Sequence, residues 1–111
     1  MNEKVLSMLG LAKKAGKIIS GTSLVSTFVR SENKPALVVV AGDASQNTQK
    51  MLDAACRHHK VTYRLTELTM DEISNAIGAS YYIACVAVLD QGFAEEILKR
   101  LAETDRTSQG V

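Results

Sequence analysis

The stretch Gly16–Ser45, with the sequence GKIISGTSLVSTFVRSENKPALVVVAGDAS, decides how this chain folds. A short apolar strand at residues 17–20 leads through small residues into an amphipathic helix that extends to about residue 31. The run 36–41 is apolar and β-branched, which predicts a strand covered on both faces. It ends at Gly42–Ser45, so two strands are each followed by a short polar loop and a helix.

These two strand-to-helix junctions are candidate anion sites. The first N–H groups of a helix lack partners within the helix, and the helix dipole is positive at that end. Both features favour a phosphate or another anionic backbone. Gly21 lets a partner approach closely, and Thr22 and Ser23 add hydroxyl groups. Simple capping of the helix by such small polar residues would produce the same pattern.

The rest of the chain continues the alternation of strands and helices. Helical spacing of apolar residues predicts a first helix, and a capping-box pattern at Thr69–Glu72 predicts the start of another. In the helix after Gly21, we expect Leu24, Val25, Phe28 and Val29 to face inward. The complete prediction is helices at 2–15, 21–31, 46–59, 69–77 and from 91, and strands at 17–20, 36–41, 61–65 and 81–89. This order predicts an α/β/α sandwich.

Length and composition are those of one ordinary globular domain. The chain has 111 residues, of which 46% are hydrophobic and 23% charged, enough for a substantial core without disulfide or metal staples. We expect one domain at residues 1–103 and a frayed tail at 104–111. The sequence shows no secretory signal or membrane-spanning run. A cytoplasmic protein with reduced thiols is therefore expected.

Basic residues are concentrated near the start of the chain. The net charge is only +1 overall, but residues 1–34 contain six Lys or Arg and two Glu. Lys13, Lys14 and Lys17 cluster around Gly16, where the stretch Gly16–Ser45 begins. A basic face beside a helix N-terminus favours a polyanionic partner. A solvated helix face would show the same charges.

Two further loops carry candidate binding residues. Asp43 follows a buried strand, where open α/β sheets bind ligands, although capping the next helix is the more common use of aspartate at such a position. The segment Gly78–Tyr82 places two tyrosines before the last strand. A tyrosine there can stack on a base. Strand alternation instead predicts that one of the two rings faces a helix layer.

The sequence does not indicate catalysis. Cys56–His59 resembles part of a metal site, but its ligand set is incomplete and Cys85 is expected in mid-strand. No nucleophile elbow, phosphate loop or dinucleotide fingerprint is present. We predict a protein that is not an enzyme, with no catalytic residues, no cofactor and no metal. A small-ligand or nucleotide enzyme is the weakest alternative.

Three segments together resemble a known family. They are MLGLAKKAGKIISG at 8–21, ALVVVAGDASQNT at 36–48 and YYIACVAVLDQGFA at 81–94. They are similar to the bacterial YlxQ proteins, a branch of the superfamily of ribosomal L7-type proteins that bind kink-turn RNA. The resemblance covers about residues 4–101. It implies a three-layer α/β/α sandwich with a four-stranded mixed sheet.

The resemblance also implies RNA binding at the three candidate places, in or near the ribosome. Phosphates would bind at the start of the second helix, sheared G·A pairs would be read there, and an extruded base would meet the loop before the last strand. The implied RNA-binding residues are Lys13, Lys14, Lys17, Gly21, Thr22, Ser23, Leu24, Asp43, Ala79, Ser80 and Tyr81.

One departure from the family pattern restricts this hypothesis. Kink-turn binders follow the glycine with an amide or lysine, then Glu or Gln, and later Lys, whereas this chain has Ser23, Leu24 and Thr27. Leucine cannot hydrogen-bond to a guanine edge. Binding to structured RNA is therefore better supported than reading of G·A pairs. The alternative is a protein–protein interaction module on the same fold, which an exposed apolar Leu24 would favour.

Overall fold

The computed structural model describes the backbone of residues 2–109 and the side chains of residues 2–103. Helices and strands alternate, as the sequence predicts. The elements are α1 (Glu3–Lys14), β1 (Ile18–Ser20), α2 (Thr22–Val29), β2 (Leu37–Val40), α3 (Gln46–His59), β3 (Tyr63–Leu65), α4 (Met70–Ile77), β4 (Cys85–Val88) and α5 (Gln91–Gln109). The predicted tail 104–111 lies outside the residues with described side chains, and its fraying stays a prediction.

The four strands form one mixed sheet in the order β1-β4-β2-β3. β2 and β3 are parallel, whereas β4 is antiparallel to both β1 and β2. Consequently β1, β2 and β3 end, and β4 begins, at the same end of the sheet. We call this the site end, and the other the opposite end.

Helices cover both faces of the sheet. α1 packs against α4 and α5, and α2 packs against α3. The two central strands, β2 and β4, are buried along their whole length. The α/β/α sandwich with a four-stranded mixed sheet is thus confirmed.

The last strand is shorter than predicted. It begins at Cys85 rather than Tyr81, because its neighbours end there: Ser20 pairs with Val86, and Val40 pairs with Cys85. Residues 81–83 therefore have no adjacent strand, and the Ile83 N–H donates instead to the Ser74 hydroxyl at 2.8 Å.

The orientation of α2 also differs from the prediction. Val25, Ser26 and Val29 are the buried residues of this helix, and Leu24 is 46% exposed. A helix turns about 100° per residue, so when Val25 and Ser26 face the sheet, Leu24 lies on the opposite, solvent-facing side of α2. Phe28 lies on the flank and is half-buried. The prediction that Leu24 faces inward is wrong.

Glycine at position 42 lets two loops of the site end pack closely. A Cβ atom built on Gly42 would lie 2.5 Å from the Thr66 carbonyl oxygen, which belongs to the backbone after β3. The Gly42 N–H donates to the Leu68 carbonyl at 2.8 Å. A larger residue must therefore push the two loops apart.

We predict that Gly42→Ala lowers the free energy of unfolding by about 1–3 kcal/mol, the usual cost of overpacking. Urea denaturation at neutral pH measures this. Gly92→Ala is the matched control, since its Cβ would meet only one side-chain atom, the Asp90 Oδ2, at the longer distance of 3.1 Å. Equal stability of the two variants contradicts the prediction.

Candidate nucleic-acid interface

Three loops meet at the site end of the sheet. The Gly21 N–H donates to the Cys85 carbonyl at 3.1 Å, and the Ala41 N–H donates to the Ala84 carbonyl at 2.8 Å. The start of β4 thus lies between the turn at Gly21 and the loop that begins at Gly42. The fold brings together the predicted residues of these three segments, which are Gly21, Thr22, Ser23, Leu24, Asp43, Ala79, Ser80 and Tyr81.

The start of α2 has open backbone donors. Its N-cap residue, Gly21, has φ 96° and ψ 142°, a conformation that strongly favours glycine, and supplies no side-chain cap. By contrast, Ser45 caps α3, and Thr69 with Glu72 forms a capping box on α4. Among the helices that follow β1, β2 and β3, α2 alone offers its first N–H groups without a side-chain acceptor. This arrangement suits an anion.

The side chains around this helix start differ in accessibility. Thr22 is half-buried and its side chain hydrogen-bonds to Cys85, a contact that acts to lower the thiol pKa. Ser23 is exposed, so its hydroxyl and N–H are both open to a partner. Leu24 is exposed beside it. The first turn of α2 therefore presents polar backbone together with one apolar side chain.

Asp43 has a structural partner that the sequence did not predict. Its Oδ1 accepts a hydrogen bond from the Met70 N–H at 2.8 Å, at the start of α4. The helix that directly follows Asp43 is capped by Ser45, which accepts from the Thr48 N–H at 3.1 Å. Asp43 therefore ties the loop after β2 to α4. Its role as an RNA ligand stays a prediction.

Two tyrosine rings project from the loop before β4. Tyr81 is 67% exposed and Tyr82 72% exposed, so the expectation that one of them faces a helix layer is wrong. The loop backbone is nevertheless held on α4, because the Ala79 N–H donates to the Ser74 carbonyl at 2.9 Å. Either tyrosine was a candidate for stacking on a base, although the residues that the resemblance implied included Tyr81 and not Tyr82.

The lysine cluster does not lie beside the start of α2. Lys13 and Lys14 end α1, and the Lys17 carbonyl accepts from the Leu89 N–H at 2.8 Å, at the opposite end. The extended chain from Lys17 to Gly21 spans about 13 Å. The expected adjacency is therefore wrong, although RNA contact by these lysines stays a prediction. The loops of the site end instead carry Asp43 and Glu67, and the first turn of α4 carries Asp71 and Glu72.

The cysteines and histidines do not form a reactive centre. Burial raises the pKa of both Cys56 and Cys85 to about 11, so the thiols are protonated at neutral pH. His58 and His59 pack edge to face, with ring centroids 4.8 Å apart. Among residues 2–103, no three His, Cys, Asp or Glu side chains are placed to hold a metal ion.

Comparison with known sequences identifies the family. Residues 3–98 match the ribosomal protein L7Ae/L30e/S12e/Gadd45 family. The chain belongs to this family. It is 37% identical over 94 residues to the RNA-binding protein YlxQ of Bacillus subtilis (strain 168), covering 85% of this chain and 91% of that protein. It is 35% identical over 95 residues to the RNA-binding protein YlxQ of Enterococcus faecium, covering 85% of this chain and 87% of that protein. The predicted resemblance is confirmed.

Solved structures show the same fold. A Bacillus halodurans protein of unknown function superposes with a TM-score of 0.82 at 26% identity, covering 89% of this chain and 97% of that one. The 15.5 kD RNA-binding protein of Giardia lamblia superposes with a TM-score of 0.74 at 16% identity, covering 92% of this chain and 85% of that one. At that identity the second likeness concerns the fold alone. None of the helices described here combines the length and apolarity that crossing a membrane requires.

Proposed function

We propose that this chain is a non-enzymatic protein that binds structured RNA through the site end, in the cytoplasm and in association with the ribosome. The observation that carries the proposal is the start of α2, whose first N–H groups lack a side-chain cap and lie beside the start of β4. The names of the two YlxQ relatives support RNA as the partner.

The start of α2 is the proposed phosphate site. The first N–H groups of a helix point out of its end, and a Cβ built on Gly21 would meet open space. A phosphate can therefore approach the backbone at Thr22 and Ser23 directly and gain charge-assisted hydrogen bonds. Such contacts position an RNA without reading its sequence.

The loop before β4 is the proposed base site. Tyr81 is exposed in a groove that Asp71, Ser74, Asn75 and Ala79 also line. An unstacked base can lie on the ring and meet these polar groups at its edge. A kink-turn, which exposes bases at a sharp bend, is a suitable target, although Leu24 replaces the polar group expected to read a G·A pair.

Ser23→Asp tests the phosphate site. A carboxylate in the first turn stabilises a helix by about 0.3–1 kcal/mol, yet here it would repel a bound phosphate. We therefore predict about ten-fold weaker RNA binding, about 1.4 kcal/mol, with no loss of folding stability. Fluorescence anisotropy with a labelled kink-turn RNA measures the affinity, and urea denaturation measures the folding stability.

Ser23→Asn is the neutral control of the same shape, and it should bind within about two-fold of the wild type. Equal affinity of the Asp and Asn variants contradicts the phosphate site. A wild type that binds no structured RNA contradicts the proposed function as a whole.

Tyr81→Ala tests the base site. Removing an aromatic platform costs about 1–3 kcal/mol for each stacked base, so we predict a clear loss of affinity for the same kink-turn RNA. Tyr81→Phe keeps the ring and should retain most of the affinity. The stacking role is wrong if the Phe variant loses as much affinity as the Ala variant.

A protein-interaction module is the second candidate function, and the 46% exposure of Leu24 at the site end favours it. A photocrosslinking amino acid placed at position 24 and activated in cells distinguishes the RNA-binding function from the protein-interaction function. RNA binding through the site end predicts RNA adducts at this position, whereas the protein-interaction function predicts protein adducts. Protein adducts alone would contradict the first proposal.

A further inference from the structure

Seven of the 13 Lys and Arg residues of the chain lie at the opposite end of the molecule. Helices α1, α2 and α3 all end there, and strands β1, β2 and β3 begin there. We call the exposed cationic residues of these termini and loops the basic end. They are Lys13, Lys14, Lys17, Arg30, Lys34, Arg57 and Lys60.

Hydrogen bonds of the sheet connect the two sides of this surface. The Lys17 carbonyl accepts from the Leu89 N–H at 2.8 Å, and the Ala36 N–H donates to the Val88 carbonyl at 2.8 Å. Lys17 and Ala36 thus flank the end of β4, about 10 Å apart across two strand spacings. Lys17 and Lys34, which is close to Ala36 along the chain, therefore lie at the same end of the sheet.

The charges on the second side are close enough to affect one another. Partial burial lowers the pKa of His59, and the positive charges of Lys34, His58 and Arg30 lower it further. Arg30 ends α2, Lys34 lies before β2, and the histidines end α3. Three segments therefore place positive charge around one point.

Four acidic groups lie at or near this end and partly offset this charge, and one of them is Glu95, which is exposed in the second turn of α5. Glu32 is exposed in the loop after α2, and Asp90 is occupied as the cap of α5, where it accepts from the Phe93 N–H at 2.9 Å. Asp53 pairs with Arg57 at 2.9 Å, the one ion pair at this end among residues 2–103. Stabilisation of helix C-termini explains Lys13, Lys14 and Arg57, and Lys34 Nζ donates to the Ser31 carbonyl just after α2 at 2.7 Å. Neither use explains Lys17, which lies outside the helices.

We infer that the basic end is a second RNA-binding surface, which holds the phosphates of another RNA segment through Lys13, Lys14, Lys17, Arg30, Lys34 and Lys60. Its partner is RNA backbone, because dispersed cations match a row of phosphates and carry no groups arranged to read bases. The inference rests on the proposed function, and adds that the protein contacts RNA at both ends.

The two surfaces contribute differently to RNA binding. The site end has loops held by hydrogen bonds, which suit recognition of RNA shape, but its acidic neighbours weaken the attraction for phosphates. The basic end supplies the salt-dependent attraction. The two ends are about 13 Å apart along the extended chain from Lys17 to Gly21, and about 21 Å apart along the 14 residues of α3. One protein can thus hold two stems, or two parts of one folded RNA.

Lys17→Gln/Arg30→Gln tests the inference with two probes, a kink-turn RNA and a plain RNA duplex, over a range of KCl concentrations. We expect weaker binding of both probes, several-fold at moderate salt. The slope of log K against log salt should fall by about 1 for each phosphate that the variant no longer neutralises. Lys4→Gln/Lys99→Gln is the matched control with the same charge change on the α1–α5 side, and should leave the slope unchanged.

The result for Ser23→Asp separates the two proposals. If it weakens kink-turn binding but not duplex binding, the two surfaces act independently, as inferred. An unchanged slope in Lys17→Gln/Arg30→Gln, or an equal change in the control pair, overturns the second surface and leaves the site end intact. Absence of RNA binding by the wild type overturns the proposed function and the inference together.

A second test of the inference uses the wild-type protein. The pKa of His59 is measured by NMR in the absence and in the presence of saturating RNA duplex. Phosphates seated among Lys34 and Arg30 offset the positive charge that disfavours protonation, so the pKa of His59 should rise on binding. An unchanged titration overturns the inference.

Discussion

The pairing of β4 between β1 and β2 is the constraint on which the rest of the structure depends. Val38, Val39, Val86 and Ala87 are fully buried where β2 and β4 pair, so the register is fixed by the hydrophobic core as well as by backbone hydrogen bonds. Because β4 runs against its neighbours, the loop before it returns to the end where β1, β2 and β3 finish. That single reversal brings three separate loops into one surface.

Much of the fold was predictable because its signals are local. The β-branched run before Gly42 and the capping box at Thr69–Glu72 each specify an element from adjacent residues, and both occur as predicted. The ends of β4 were not predictable in this way. They depend on where β1 and β2 stop, which is a property of the sheet and not of the sequence around Tyr81.

The candidate site was predictable in its position but not in its charge. Gly21, Asp43 and Tyr81 meet because strand direction and topology place their loops together, and the family resemblance indicated the same three places. Lys17, by contrast, is only four residues from Gly21 in sequence but lies at the other end of β1. An extended strand carries neighbours in sequence away from each other, so a charge cluster cannot be assigned to a site by proximity along the chain. The bond from Met70 to Asp43 joins residues far apart in sequence, and no local pattern predicts it.

The two backbone hydrogen bonds at the start of β4 have a mechanical consequence. Gly21 and Ala41 both donate to consecutive residues of the same segment, Cys85 and Ala84. Any displacement of that segment must therefore move the turn before α2 and the loop after β2 together. The three loops therefore form one rigid unit rather than three independently moving segments. Because their backbone is already arranged before a partner binds, little conformational entropy of the loops is lost on binding.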